Sequence, residues 1–314
     1  MSFETIKTLP RASDGALPFR HLLAERPKGV VQICHGLAEH SARYQSFARE
    51  LAQNGYHTYV HDHRGHGANI GALAPKGMFA PRQGYERVIN DVFSLNAHIR
   101  ENHPGLPVVL FGHSMGGLIA LNYLFDHSAT VHAAAIWNAN LGSFIENKAA
   151  LILLYMERMF KGSDVPSAIL PKLTFRAWAN AIPDHRTAFD WLSRDACEVD
   201  AYIADPLCGF DASVSLWIDI FRMMQRGRQD ANFTGIAKSL PFHLLGGAAD
   251  PATDYGKAVR ALAYRMRAMG FDRVDCTILP ETRHESLNEL NRQQTVQNFL
   301  DWLGKSLPSP DISR

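Results

Sequence analysis

Pro107-Val108-Val109-Leu110-Phe111-Gly112-His113-Ser114-Met115-Gly116-Gly117-Leu118-Ile119-Ala120 is the stretch from which the rest of the chain is read. An apolar run of strand character stops in Gly112-His113-Ser114-Met115-Gly116, and an apolar, helix-prone segment begins at once. That is the strand–turn–helix setting of a nucleophile elbow, with Ser114 at the tip of the turn. Gly112 and Gly116 have a steric role in this reading, because so sharp a reversal crowds backbone against backbone and leaves no room for a side chain. The alternative is a glycine-rich turn in which Ser114 is an ordinary helix N-cap. A Gly-x-Ser-x-Gly arises by chance in roughly one chain in ten of this length, so partners elsewhere must decide.

Outward from the elbow the chain alternates strands and helices. Toward the N-terminus, Gly29-Val30-Val31-Gln32-Ile33-Cys34-His35-Gly36 reads as a strand buried on both faces. Tyr44, Phe47, Ala48 and Leu51 then fall at helical spacing before Gly55, and Thr58-Tyr59-Val60-His61 is the next strand. Residues 4–25 carry two short alternating segments around Ser13-Asp14-Gly15, which predicts an opening hairpin. Asp62 to Gln83 is a long glycine-rich loop, and residues 86–101 read as a helix.

Toward the C-terminus, Val131 to Trp137 and Leu240 to Gly247 are strands, residues 255–269 a helix, and Val274 to Leu279 a last strand before a helix from about Ser286 to Leu303. Alternation with short connections predicts an α/β fold with a doubly wound, mostly parallel sheet. At about Leu141 the rhythm breaks. Residues 148–160 and 213–225 are apolar segments with prolines and aromatics between them and no strand alternation. The expectation is a core of residues 1–140 and 231–314 with a helical cap inserted at 141–230, its apolar underside lining a greasy pocket.

Composition bounds the function. The chain has 314 residues, 46% of them hydrophobic and 20% charged, with a formal net charge of +1, so nothing marks a nucleic-acid partner. Arg222, Arg226 and Arg228, and Arg260, Arg265 and Arg267, read as solvated helix faces, with contact to anionic lipid as the functional alternative. Cys34, Cys197, Cys208 and Cys276 show neither Cys-x-x-Cys nor metal spacing and are read as buried thiols in a reducing compartment. Met1 to Lys7 lacks the pattern of a secretory signal, and no window approaches 18 uninterrupted apolar residues, so a cytoplasmic chain without a membrane span is expected. Peripheral membrane contact through the cap stays open.

A serine hydroxyl is a poor nucleophile at neutral pH and needs a base that is itself oriented by an acid. In such a sheet these follow the serine in the order acid, then histidine, on loops after later strands. Asp250 follows the strand ending Leu244-Leu245-Gly246-Gly247, and His284 follows the last strand in Pro280-Glu281-Thr282-Arg283-His284-Glu285. Among 15 histidines, His113, His35 and His66 are rivals by their nearness to glycine, but His284 alone lies beyond the last strand. Asp254 rivals Asp250, with an ordinary reading as a helix cap. An oxyanion needs preorganised donors; the Met115 N–H and the Leu37 N–H, after the first buried strand, are the candidates.

His35-Gly36-Leu37-Ala38-Glu39-His40-Ser41-Ala42-Arg43-Tyr44, Asp62-His63-Arg64-Gly65-His66-Gly67, Gly112-His113-Ser114-Met115-Gly116-Gly117, Ala204-Asp205-Pro206-Leu207-Cys208 and Arg283-His284-Glu285-Ser286-Leu287-Asn288-Glu289 together resemble the monoacylglycerol lipase and lysophospholipase branch of the α/β-hydrolases. The resemblance runs from about residue 12 to 304. It implies the α/β-hydrolase fold, a helical cap over an apolar tunnel, no metal or organic cofactor, and monoacyl glycerolipids as substrates. By position it makes Ser114 the nucleophile, Asp250 the acid, His284 the base, and Leu37 and Met115 the oxyanion donors. The chain departs from the family pattern at Ala68, where a serine is usual nearby, and along Ala68 to Gln83. Rival readings are a thioesterase, an amidase or aminopeptidase, or a non-lipid carboxylesterase on the same scaffold, and more remotely a non-catalytic binding protein.

Overall fold

The computed structural model describes residues 3–11 and 15–307. Its strands are β1 (Lys7–Pro10), β2 (Ala16–Leu22), β3 (Gly29–Cys34), β4 (Tyr56–His61), β5 (Val108–His113), β6 (Ala133–Trp137), β7 (Phe242–Gly247) and β8 (Val274–Leu279). They form one sheet in the order β1-β2-β4-β3-β5-β6-β7-β8, antiparallel at the β1, β2 and β4 pairings and parallel from β4 through β8. The β1–β2 pair is the expected opening hairpin; Ser13 and Asp14 of its turn lie outside the described residues. Strands β3 to β7 are buried at every residue, which is why they read as near-continuous apolar runs.

Helices cover both faces. On one side α1 (Gln45–Gln53) and α10 (Arg292–Ser306) pack Phe47, Leu51, Phe299 and Leu303 against Phe111 and Trp137. On the other, α2 (Gly84–Asn102), α3 (Met115–His127) and α9 (Lys257–Ala268) bury Val92, Leu95, Ile119, Leu262 and Met266. Two helix starts differ from expectation. Asp254, Tyr255 and Gly256 all have positive φ (50°, 57° and 80°), so Tyr255 belongs to a turn and α9 begins at Lys257. Residues 286–291 are spent on side-chain hydrogen bonds, among them Ser286 to Asn138, and α10 begins only at Arg292.

Between β6 and β7 lie α4 (Phe144–Lys161), α5 (Leu170–Leu173), α6 (Phe175–Asn180), α7 (Ala196–Ala204) and α8 (Val214–Gly227). A capping box at Ser143 and Glu146 starts α4, and Ser143 and Ser213 cap α4 and α8 through their hydroxyls. α8 packs on α2, α3 and α4, so Leu151, Leu154, Leu216 and Trp217 share one apolar cluster with the sheet. α4 turns the rest of its apolar surface outward. Ile145, Ile152, Met156, Met159 and Phe160 form an exposed stripe, Met159 at 82% and Phe160 at 87%. The apolar lining expected of both segments comes from 213–225 together with residues 171–192, and from none of 148–160.

Two other expectations are corrected. Cys197 is exposed, while Cys34 and Cys208 are buried, and all four cysteines are free. The arginines of α8 and α9 are not simply solvated: Arg226 bonds Asp126, Arg265 bonds Asp230 at 2.6 Å, and Arg267 bonds the Val274 carbonyl. No helix among the described residues is long and apolar enough to cross a membrane. The register brings Cys34 beside Gly112, His113 beside Trp137 and Gly247 beside Leu279, so the strands end at one rim. The loops that leave that rim carry the candidate residues.

Candidate active site

The turn between β5 and α3 holds Ser114 at φ 55°, ψ −118°, a conformation that L-residues adopt only under strain. A Cβ at Gly112 would collide with the Gly116 carbonyl, and one at Gly116 with the carbonyls of Cys34 and His35. The turn is locked by the Ser114 N–H donating to the Trp137 carbonyl at 2.9 Å. What the strain achieves is direction: Ser114 Oγ lies 2.8 Å from His284 Nε2.

His284 sits on the loop after β8, and its Nδ1 is 2.9 Å from Asp250 Oδ2 on the loop after β7. An ionised carboxylate can only accept, so Nδ1 carries the proton and Nε2 is left to accept from the serine. Asp250 is fully buried and further receives the Ala252 N–H, the Thr253 hydroxyl and the Asn138 amide at 2.9, 2.9 and 3.2 Å. Burial alone would raise its carboxyl, but the His284 imidazole and these hydrogen bonds outweigh burial and hold it below its ordinary value.

The rival residues are placed elsewhere. Asp254 is exposed and bonds Lys257. His35 Nε2 accepts the His63 N–H, and His66 Nδ1 faces the Arg64 carbonyl. His113 stands next to the serine in sequence, yet its Nε2 points to the His284 carbonyl oxygen at 3.0 Å.

That contact belongs to a buried polar network that the sequence reading did not identify. Glu39 Oε1 accepts the Gly36 N–H and the Tyr44 hydroxyl and stands 3.6 Å from His113 Nδ1. Arg43 bridges Glu39 at 3.1 Å and forks onto both oxygens of Glu285. Burial would raise the Glu39 carboxyl, but His113 and Arg43 hold it far below its ordinary value. In turn Glu39 lifts the His113 imidazole above its ordinary value against burial. The network ties the Gly36 loop, the elbow and the His284 loop into one rigid unit. The segment between β6 and β7 adds to it: the Trp191 carbonyl accepts the His284 N–H at 3.3 Å, and the two rings lie 5.0 Å apart. Glu289, fully buried, accepts from the Arg283 N–H and the Arg194 side chain. Glu39, Arg43, Tyr44, His113, Glu285 and Glu289 all lay inside quoted motifs, but nothing in one sequence says that position 43 meets position 285.

Ser114, His284, Leu37 and Met115 line one cavity of about 680 Å³. Among the described residues, no protein group accepts from the N–H of Leu37 or Met115, so both donors remain open to a ligand. Phe175, Trp178, Trp217, Ile220, Phe221 and Met224 form much of the remaining wall. Metal-ligand types meet outside it, at His40, Asp205 and Cys208. There His40 Nε2 is hydrogen-bonded to Asp205 at 2.8 Å, and burial pushes the Cys208 thiol up, away from the thiolate that ligation requires.

Residues 25–291 match the family described as Serine aminopeptidase, S33 (Hydrolase_4). The chain is 28% identical to the monoglyceride lipase of Homo sapiens over 230 residues, covering 73% of this chain and 67% of that one. It is 26% identical to the monoacylglycerol lipase of Mycolicibacterium smegmatis over 290 residues, covering 88% of each. Among solved structures, a thermostable carboxyl esterase from Bacillus coagulans superposes with a TM-score of 0.85 at 24% identity, covering 98% of this chain and 99% of that one.

Proposed function

This chain belongs to the Hydrolase_4 family of serine aminopeptidase S33 type, as an α/β-hydrolase of the monoacylglycerol lipase kind, and on that premise we propose that it hydrolyses the carboxylic ester of monoacyl glycerolipids through an acyl-enzyme. The observation that carries the reading is a continuous hydrogen-bonded chain from Asp250 through His284 to Ser114, opening on an apolar cavity.

In this mechanism Ser114 Oγ attacks the ester carbonyl as His284 Nε2 takes its proton. Asp250 stabilises the imidazolium, and the N–H groups of Leu37 and Met115 hold the oxyanion, each donor contributing roughly 3 kcal/mol. Collapse of the tetrahedral intermediate breaks the bond to the alcohol, which leaves with the proton from His284. Water, deprotonated by the same nitrogen, attacks the acyl-serine, releases the fatty acid and restores the hydroxyl. Residues 141–230 act as a cap, with α8 and the segment around Trp178 and Trp191 supplying the acyl wall. An apolar wall gains ~0.8 kcal/mol per buried methylene, so medium and long chains are favoured over acetate. The exposed stripe of α4 docks the cap on a lipid surface, where such substrates reside.

The test pairs labelling with turnover. Fluorophosphonate should label Ser114, and Ser114→Ala should lower kcat on p-nitrophenyl esters by roughly four to six orders of magnitude. A variant keeping more than a tenth of wild-type turnover overturns the proposal. Profiling acyl chains of two to sixteen carbons, beside lysophosphatidylcholine, monoolein, acyl-CoA and an aminoacyl amide, tests the substrate class; preference for the shortest ester would refute the lipid reading.

A further inference from the structure

A second cavity, of about 250 Å³, opens on the flank of the insertion and is lined by Arg82, Arg158, Arg222, Gln83, Ser215 and Asp219, among others. Its three guanidiniums come from three separate segments: the Ala68 to Gln83 stretch that departs from the family pattern, helix α4, and helix α8. Among the described residues neither Arg82 nor Arg158 makes an ion pair, and the Arg222 guanidinium bonds only the Tyr155 hydroxyl, at 2.9 Å. Asp219 is the sole acid in the lining, 4% exposed, with the Tyr85 N–H directed at it. Burial pushes its carboxyl up to about 7, so near neutral pH it is about half ionised and, with Glu86 acting on Arg222, offsets only part of the charge of three guanidiniums.

Three arginines lining one cavity make it a favourable place for an anion, and their forked donors fit phosphate oxygens. The position of the cavity says which anion. Arg158 and Tyr155 lie on α4, beside the outward stripe of Ile152, Met156, Met159 and Phe160. A helix sunk in an interface by such a stripe carries its flanks at headgroup depth. We propose that the cavity lined by Arg82, Arg158 and Arg222 binds the phosphate of an anionic phospholipid and so orients the docked enzyme on its membrane. The proposal rests on the docking of α4 put forward above.

Co-sedimentation of the full chain with vesicles of phosphatidylcholine, with and without phosphatidylglycerol, at one ionic strength, tests it. The wild type should bind the anionic vesicles about tenfold more tightly or better. Arg82→Gln with Arg158→Gln, both exposed positions, should remove most of that preference, and adding Arg222→Gln the rest, with hydrolysis of a soluble p-nitrophenyl ester unchanged. Asp219→Asn, which deletes the opposing carboxylate, should strengthen it. Arg49→Gln, Arg260→Gln and Lys305→Gln together remove the same charge from exposed sites elsewhere and should leave the preference intact. Equal loss in that control, or equal binding of both vesicles by the wild type, overturns the pocket while leaving α4 docking standing. Failure to bind either vesicle overturns both.

Discussion

At Asp250 the proposed mechanism is reduced to the choice of one tautomer. Its Oδ2 also accepts from Thr253 and Asn138, and the Ala252 N–H binds the other oxygen, so the group is held whether or not it pairs with His284. Asp250→Asn should therefore keep the fold, with a melting temperature near that of the wild type, yet offer His284 Nδ1 an amide that favours the wrong tautomer. A fall in kcat of about four orders of magnitude is expected from steady-state hydrolysis of a p-nitrophenyl ester. Glu39 poses a different case, since it touches the Gly36 N–H, Tyr44, Arg43 and His113. Glu39→Gln should cost roughly 2–4 kcal/mol of stability, read from urea midpoints, because buried cations lose their counter-charge. Its carboxyl is held low, so the stabilisation it gives is present above the unfolded value of 4.5 and is lost as pH falls through the depressed folded value. The Glu39 role is invisible in a single sequence, where Glu39 is one acid among many.

At the scale of elements, α4 and α8 look alike as strings and differ as surfaces. Both are apolar segments of the insertion, but α8 packs on α2, α3 and α4 and buries Ile218 and Met223 while turning Trp217 and Phe221 onto the cavity, whereas α4 has only one side covered. Sequence periodicity shows that a helix has an apolar surface and cannot say whether a neighbour covers it. Met159→Glu with Phe160→Glu tests the consequence. Burial of each side chain in lipid is worth ~1.5–3 kcal/mol, so vesicle affinity should fall by tenfold or more, while turnover of a soluble short ester stays at the wild-type level. The boundaries of α9 and α10 teach the same point. The Asp254-Tyr255-Gly256 turn and the hydrogen bonds of residues 286–291 shorten helices that the apolar spacing alone would extend.

Over the whole molecule, the distinctive load is buried histidine. His35, His61, His63 and His66 cluster beneath the Gly36 loop, with ring centroids of 4.2 Å for His35–His63 and 4.6 Å for His61–His63. Burial pushes His61 and His66 down to about 3 and His243 to about 4, from an unfolded value of 6.5. A base with a depressed folded value stabilises the neutral state, so this contribution is present above pH 6.5 and is lost as pH falls toward 4. Each such group adds a slope of ~1.4 kcal/mol per pH unit in that window. Urea midpoints measured between pH 7.5 and pH 5 should fall steeply on the acid side, and His61→Phe should flatten the fall. A midpoint independent of pH across that range would show that these rings are solvated.

The strand–turn–helix at Ser114, the βα rhythm and the order of Ser114, Asp250 and His284 along the chain follow from the amino-acid sequence, because steric demands at Gly112 and Gly116 and burial on both faces of a strand are local properties. The meeting of Arg43 with Glu285, the outward face of α4 and the arginine-lined cavity beside it were decided only by tertiary structure. Each depends on which distant segment covers a surface or neutralises a charge, and that is a matter of packing geometry that no local pattern of residues encodes.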